Sequence, residues 1–109
     1  MEQHTDAHDR LAEILKALAH PARLRILSLL AKRGTCICGD LVEAMPLSQA
    51  TVSQHLKVLR QAGLIQGTID GPRSCYCIDH EEIGVVRDHI VALFGSIENC
   101  CRPKKGDDK

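Results

Sequence analysis

A pair of helices separated by a tight turn constrains the fold more than any other feature of this chain. Asp40 can cap a short helix over residues 40–45, because an acidic residue lies three positions further on. After a two-residue Pro-Leu turn, Ser48 is a strong N-cap for a longer helix over residues 48–62, which Gly63 closes. The pattern predicts helix, short turn, helix.

A β-hairpin is predicted directly after this pair. The runs 64–69 and 74–78 are β-prone, and they flank Asp70-Gly71-Pro72, whose residue types are typical of tight turns. A hairpin that follows a helix pair is typical of the wing of a winged helix-turn-helix fold. The predicted fold class is therefore mainly α with a small β-hairpin.

Four further elements flank this unit, and apolar residues at helical spacing define the three helices among them. Residues 8–19 predict a first helix, residues 21–33 a second that begins at a proline, and residues 83–97 a last helix. The second helix is apolar on more than one face, which predicts burial at the centre of the fold. Residues 35–38 predict a short extended segment.

The length of 109 residues fits one domain whose small core would gain from burial against a second subunit. We expect a folded domain over 8–101, with a flexible tail at 1–7 and a disordered polar tail at 102–109. No apolar run reaches the ~20 residues that span a bilayer. The polar N-terminus does not resemble a signal peptide, so the expected location is the cytoplasm.

The formal net charge is zero, which alone would argue against nucleic-acid binding. The distribution of charge indicates otherwise. No acidic residue lies between Ala44 and Ile69, whereas Lys57 and Arg60 lie inside that stretch and Arg73 lies just beyond it. A neutral chain can still present one locally positive face.

The longer helix of the pair has one apolar and one polar face. Val52, Leu56 and Leu59 fall together on a helical wheel and should face the core. The opposite face and its N-terminal rim carry short or amide side chains suited to base edges and phosphates. With the wing, the predicted DNA contacts are Ser48, Gln49, Ala50, Thr51, Ser53, Gln54, His55, Lys57, Arg60 and Arg73.

The stretch 47–65 resembles the recognition helix of the ArsR/SmtB family of metal-responsive repressors. The resemblance extends to residues 18–27, to Gly71-Pro72-Arg73 and to Tyr76. It implies a homodimer that pairs through the first and last helices, binds double-stranded operator DNA and is released by an inducer. By the same resemblance Gln49, Ala50, Ser53 and Gln54 match base-reading positions, although relatives often place a polar residue where Ala50 stands.

Six cysteines carry the sensor chemistry. In a reducing compartment, closely spaced cysteines are more often metal-binding or reactive than structural disulfides, and thiolates prefer thiophilic ions. Cys36 and Cys38 point to one side of an extended segment, as do Cys75 and Cys77 of the wing. If the two segments pair, four thiolates could form a tetrahedral zinc-type site. Otherwise Cys75 and Cys77 are small apolar residues that fill the wing.

Further ligand candidates rest on the resemblance. Cys36 and Cys38 resemble the family's Cys-x-Cys motif, although its frequent third cysteine is replaced by Leu41. Cys100 and Cys101 resemble the C-terminal site of arsenite-responsive members and lead as ligands. His89 matches a zinc ligand of the last helix, but Arg87 and Pro103 stand where acidic ligands are expected, and a cation beside a metal is unfavourable. The expected inducer is As(III) or Sb(III), with Zn(II) a further possibility.

Other functions remain open at this point. The same fold could serve a redox-, persulfide-, zinc- or cadmium-responsive repressor. A thiol enzyme is disfavoured because no phosphate loop, catalytic carboxylate pair or nucleophile elbow is present. A winged-helix module that binds proteins would tolerate acidic residues on the recognition helix, and none is found there. The prediction is a repressor released by arsenite or antimonite, and not an enzyme.

Overall fold

The computed structural model describes residues 6–34, 36–38, 45–68 and 75–100. Within them the elements are α1 (Asp6–Leu18), α2 (Pro21–Arg33), β1 (Ile37–Cys38), α3 (Gln49–Gln61), β2 (Ile65–Thr68), β3 (Cys75–Ile78) and α4 (His80–Asn99). The predicted helices over 8–19, 21–33 and 48–62 correspond to α1, α2 and α3. The last helix is longer than predicted. Residues 1–5 of the predicted N-terminal tail, the C-terminal tail, most of the helix predicted over 40–45 and the hairpin turn with Arg73 lie outside the described residues. Residues 6 and 7, which were predicted in the tail, belong to α1.

The helices begin where side chains satisfy their first backbone donors. The Ser48 hydroxyl accepts from the Thr51 amide at 3.2 Å. At the start of α4, the Asp79 carboxylate accepts from the Glu82 amide at 3.1 Å. This second cap explains why α4 begins at residue 80 and not at the first apolar residue of the pattern, because an N-cap and two glutamates in the first turn favour helix there.

The three described strands form one antiparallel sheet in the order β1-β3-β2. The predicted hairpin is confirmed as β2 and β3, in which Gly67 lies opposite Tyr76. The extended segment before α3 adds the third strand, with Ile37 opposite Tyr76 and Cys38 opposite Cys75. The wing is therefore tied by strand pairing to residues 37–38, which precede α3 in the chain.

The core lies between α1, α2, α3 and the sheet. Its most deeply buried large side chains come from all of these elements and are Ile14, Ile26, Leu30, Val52, Leu59, Leu64 and Ile65. α2 packs against α1, α3 and β3, which agrees with its predicted central position. Leu24 is an exception, because it is 51% exposed and lies on the outer face of α2.

Large apolar side chains are also exposed along α1 and α4. Leu15 lies on α1, and Val85, Val91, Phe94 and Ile97 follow along α4. Phe94 and Ile97 are each 61% exposed, which is high for side chains of this size in one region. None of the helices in the described part of the chain is long and apolar enough to cross a bilayer.

Candidate functional site

The outer face of α3 is the first candidate site. Val52, Leu56 and Leu59 are at most 3% exposed, so the predicted inner face is confirmed. Of the predicted DNA contacts, Ser53 is half-buried. The exposed ones on this side of α3 and at its N-terminal rim are Ser48, Gln49, Ala50, Thr51, Gln54 and Lys57. Because the buried stripe fixes the rotation of the helix, its polar and acid-free side faces away from the protein.

Arg60 joins this helix to the wing. Its Nη1 donates to the carbonyl oxygen of Gly67 on β2 at 2.8 Å. The side chain was predicted to contact DNA. It lies at the exposed surface but is engaged with the hairpin, so it holds β2 near the C-terminal end of α3. Sequence reasoning missed this positioning role because residues 60 and 67 lie in different elements.

His55, another predicted DNA contact, is half-buried and directed toward α2. Its Nδ1 accepts from Arg23 Nε at 3.2 Å, and its ring centroid lies 4.5 Å from that of His20. Burial first, and then His20 and Arg23, lower the pKa of His55. Arg23 also donates to the Ala17 carbonyl at 3.2 Å. His55 therefore docks α3 onto α2, separately from the exposed set.

The second candidate site is a pair of cysteines, of which Cys36 directly precedes β1 and Cys77 lies on β3. Cys36 and Cys77 lie 41 residues apart in sequence, yet their Cα atoms are 4.3 Å apart and a disulfide joins them. Cys75 is also disulfide-bonded. Tyr76, between Cys75 and Cys77 on β3, is 3% exposed, so alternation directs these two cysteines away from the core. The pairing of the two segments, which the sequence left conditional, is present.

The other predicted ligands lie elsewhere. Cys100 is exposed at the end of α4, and Cys101 lies outside the described residues. His89 stacks on His8 of α1, with ring centroids 6.0 Å apart, and Arg87 pairs with Asp88 at 3.1 Å. Within the described ranges, no three or more His, Cys, Asp or Glu side chains are grouped to hold a metal ion.

The four helices of the described residues, the hairpin after α3 and the polar outer face of α3 define the winged helix-turn-helix class of DNA-binding proteins. Within that class, this chain belongs to the arsR family of bacterial regulatory proteins, whose family model matches residues 20–66. Members of that family are transcriptional regulators and not enzymes. The chain is accordingly a DNA-binding transcriptional regulator.

Individual relatives agree with this assignment. The chain is 32% identical to the arsenical resistance operon repressor of Staphylococcus xylosus over 94% of this chain and 98% of the relative. An ArsR-like transcriptional regulator from Rhodococcus sp. RHA1 shares its fold, with a TM-score of 0.64 at 20% identity over 90% and 98% of the two chains. The NMR structure of the cadmium metal-sensor CMTR from Mycobacterium tuberculosis aligns at TM-score 0.50 and 31% identity over 85% and 88%.

Proposed function

We propose that this regulator is a homodimeric repressor that is released from operator DNA when arsenite or antimonite binds its cysteines. The observation that carries the proposal is the Cys36–Cys77 pair, which links β1 to the wing strand. A ligand held by these sulfurs acts directly on an element that contacts DNA. The Staphylococcus xylosus relative is named for arsenical resistance, which supports a metalloid as the inducer.

DNA is contacted by α3 and the wing. Gln49, Ala50 and Gln54 lie on the exposed side near the start of α3 and enter the major groove, where an amide side chain can bond adenine. Lys57 contacts a phosphate, and Arg73 contacts the backbone or minor groove from the wing. His55 and Arg60 hold α3 in place against α2 and the wing.

The dimer forms through α1 and α4. Its support is the exposed apolar face of α4, with Val91, Phe94 and Ile97 more than 60% exposed. Burying such side chains in a partner contributes about 1.5–3 kcal/mol each. Pairing of these helices also fixes the distance between the two copies of α3 in the dimer. That distance must match operator half-sites that lie one helical turn of DNA apart.

The sensor cysteines are Cys36 and Cys77. Cys38 and Cys75 lie opposite each other on β1 and β3, two residues along the chain from the sensor cysteines. As thiols, the first two are close enough to share one ion, and thiophilic ions prefer such ligands. Inorganic arsenite exchanges three oxygens, so a third sulfur must join them. Cys100 and Cys101 form the competing site at the end of α4.

Release follows from the position of Cys77 in the chain. It lies three residues before α4, and the Asp79 amide at that junction donates to the Leu64 carbonyl at 3.0 Å, beside β2. A ligand that draws Cys36 and Cys77 together therefore acts on the wing and on the orientation of α4. A 100-fold change in operator affinity requires about 2.7 kcal/mol of such coupling.

A redox switch is the second candidate, because a disulfide already joins Cys36 and Cys77. In this alternative an oxidant removes two electrons and two protons from the thiol pair, and a cellular thiol reverses the reaction. DNA affinity then follows the oxidation state of the same two sulfurs without any metalloid.

The test is operator binding by the reduced protein, with DNA selected from a random library by that protein. Arsenite, antimonite, zinc and an oxidant are titrated in parallel. Release by near-stoichiometric arsenite or antimonite is the expected result. Release only by the oxidant or by zinc would contradict the proposal and assign the corresponding alternative.

Three double variants identify the ligands. We expect Cys36→Ser with Cys77→Ser to abolish release, whereas Cys100→Ser with Cys101→Ser should leave it intact. Cys38→Ser with Cys75→Ser tests whether one of these two cysteines supplies the third sulfur that inorganic arsenite requires. The opposite result for the first two variants would move the site to the end of α4.

A further inference from the structure

A cavity of about 640 Å³ lies beside the Cys36–Cys77 pair. Both cysteines contribute to its wall, and polar side chains come from Gln66 and His80. The remaining side chains of the wall are apolar and come from the end of α2, the end of β3 and the start of α4, namely Leu27, Leu30, Ala31, Ile78 and Ile83. The sulfur pair is thus part of a predominantly apolar site of ligand size.

Inorganic arsenite gains nothing from such a cavity, because its arsenic carries only exchangeable oxygens and no substituent that could occupy the space. An arsenical with one organic group differs in two respects. It has only two exchangeable oxygens, so two sulfurs saturate it, and it carries a substituent that gains from leaving water. Cys36 and Cys77 provide two sulfurs that reach each other, next to an apolar space.

We propose that this cavity binds trivalent arsenicals that carry one apolar organic group, with arsenic on Cys36 and Cys77 and the organic group inside the cavity. Both thiols lose their protons, two As–S bonds form, two As–OH bonds break, and two waters leave. Arsenic stays trivalent, so no oxidant or reductant takes part. As an inducer site the cavity rests on the proposed function and names its ligand class, whereas the binding step does not depend on it.

The size of the organic group determines the expected selectivity. Phenyl buries about 80 Å² more apolar surface than methyl, which corresponds to roughly 30-fold tighter binding if the ring is fully enclosed. The reacting groups of the two arsenicals are the same. Once the affinity of each arsenical for a free dithiol is subtracted, the remaining difference between them reports on the cavity and not on the sulfurs.

The experiment compares phenylarsonous and methylarsonous acid on the full-length reduced protein by intact-mass spectrometry. A small soluble dithiol competes for each arsenical, which cancels the intrinsic affinity of each for sulfur. The same samples are assayed for operator release. Ala31→Phe fills the cavity, and Ser28→Phe is its matched control, since residue 28 is exposed on the same helix and does not line the cavity.

We expect the wild type and Ser28→Phe to prefer phenyl by at least about tenfold and Ala31→Phe to lose that preference. Circular dichroism melting and unliganded operator affinity verify that each variant folds. If Ala31→Phe does not fold, Leu27→Ala is used in its place. This variant enlarges the cavity and should also change the ratio of phenylarsonous to methylarsonous acid affinity. Equal binding of both arsenicals by wild type, or a preference that survives both cavity variants, would overturn the proposal.

The assay separates this proposal from the function on which it rests. A phenyl preference in bound mass without release of DNA upholds the cavity and contradicts the proposed repressor mechanism. Release by both arsenicals and by arsenite, with no phenyl preference, upholds the mechanism and contradicts the cavity. Cys36→Ser with Cys77→Ser should abolish the preference for phenylarsonous acid, and a phenyl preference that survives in this variant would also contradict the cavity site.

Discussion

Gly67→Ala should disable the wing, because two features of the position exclude a side chain. The backbone of Gly67 has φ +124°, a conformation that residues with a Cβ rarely adopt. A Cβ there would also overlap the carbonyl oxygen of Cys75 and lie 2.9 Å from the Cα of Tyr76. These atoms are backbone of the paired strand, so they cannot move without separating β2 from β3.

Gly34→Ala is the matched control, because Gly34 also has positive φ, at 72°, but a Cβ there would meet nothing within 4 Å. The left-handed conformation alone costs roughly 1–2 kcal/mol. At Gly67 the overlap adds about 1–3 kcal/mol typical of overpacking. We therefore expect a loss of about 2–5 kcal/mol, with a central value of about 3.5 kcal/mol, in the free energy of unfolding for Gly67→Ala.

Urea unfolding at one fixed protein concentration measures both variants, since dimerisation makes stability depend on concentration. With an m-value of roughly 1.5 kcal/mol/M, the midpoint should fall by about 2 M for Gly67→Ala and by about 1 M for Gly34→Ala. If only the hairpin opens, the midpoint changes less and operator affinity falls instead. Equal midpoints and equal operator affinities for the two variants would refute the reasoning.

Three further outcomes are expected. The pKa of His55 is lowered from 6.5 in the fold, so its contribution to stability is complete above pH 6.5 and is lost as the pH falls through the lowered value. The urea midpoint should therefore fall more steeply from pH 7.5 to pH 5.5 in the wild type than in His55→Asn. Equal slopes for the two proteins would contradict this prediction. Phe94→Asp should raise the dimer dissociation constant at least about tenfold in sedimentation velocity, whereas Ser28→Asp should not; a dimer that persists in both would remove α4 from the interface. Gln54→Ala should relax base selectivity by about 1–3 kcal/mol, and Lys57→Ala should reduce the salt slope of binding by about 1 without changing selectivity; the reverse pattern would exchange their roles.

Much of the fold could be predicted because its signals are local. Ser48 and Gly63 mark the start and the end of α3 through interactions within a few residues. The spacing of Val52, Leu56 and Leu59 fixes the inner face of this helix. Asp79 carries a similar signal, since an N-cap followed by two glutamates marks a helix start. It was missed because the last helix was defined by apolar spacing alone.

The candidate site was less predictable. The positive stretch predicts that His55 contacts DNA, but Arg23 Nε donates to it at 3.2 Å from another helix. The same stretch predicts a DNA contact for Arg60, whose side chain donates to the carbonyl oxygen of Gly67. Both contacts depend on how α3 packs against its neighbours, and charge along the chain does not report that packing.

The sequence by itself determined the longer helix α3, the two strands of the wing and the outer face of α3, and it showed that six thiols are present, because caps, turns and apolar spacing act within one element. Only the tertiary structure decided which thiols meet. Cys36 and Cys77 are 41 residues apart, and they come together because burial of Ile37 and Tyr76 in one core aligns β1 beside β3. Strand pairing at that separation follows from packing of the whole domain, and the residues between the two cysteines carry no local signal for it.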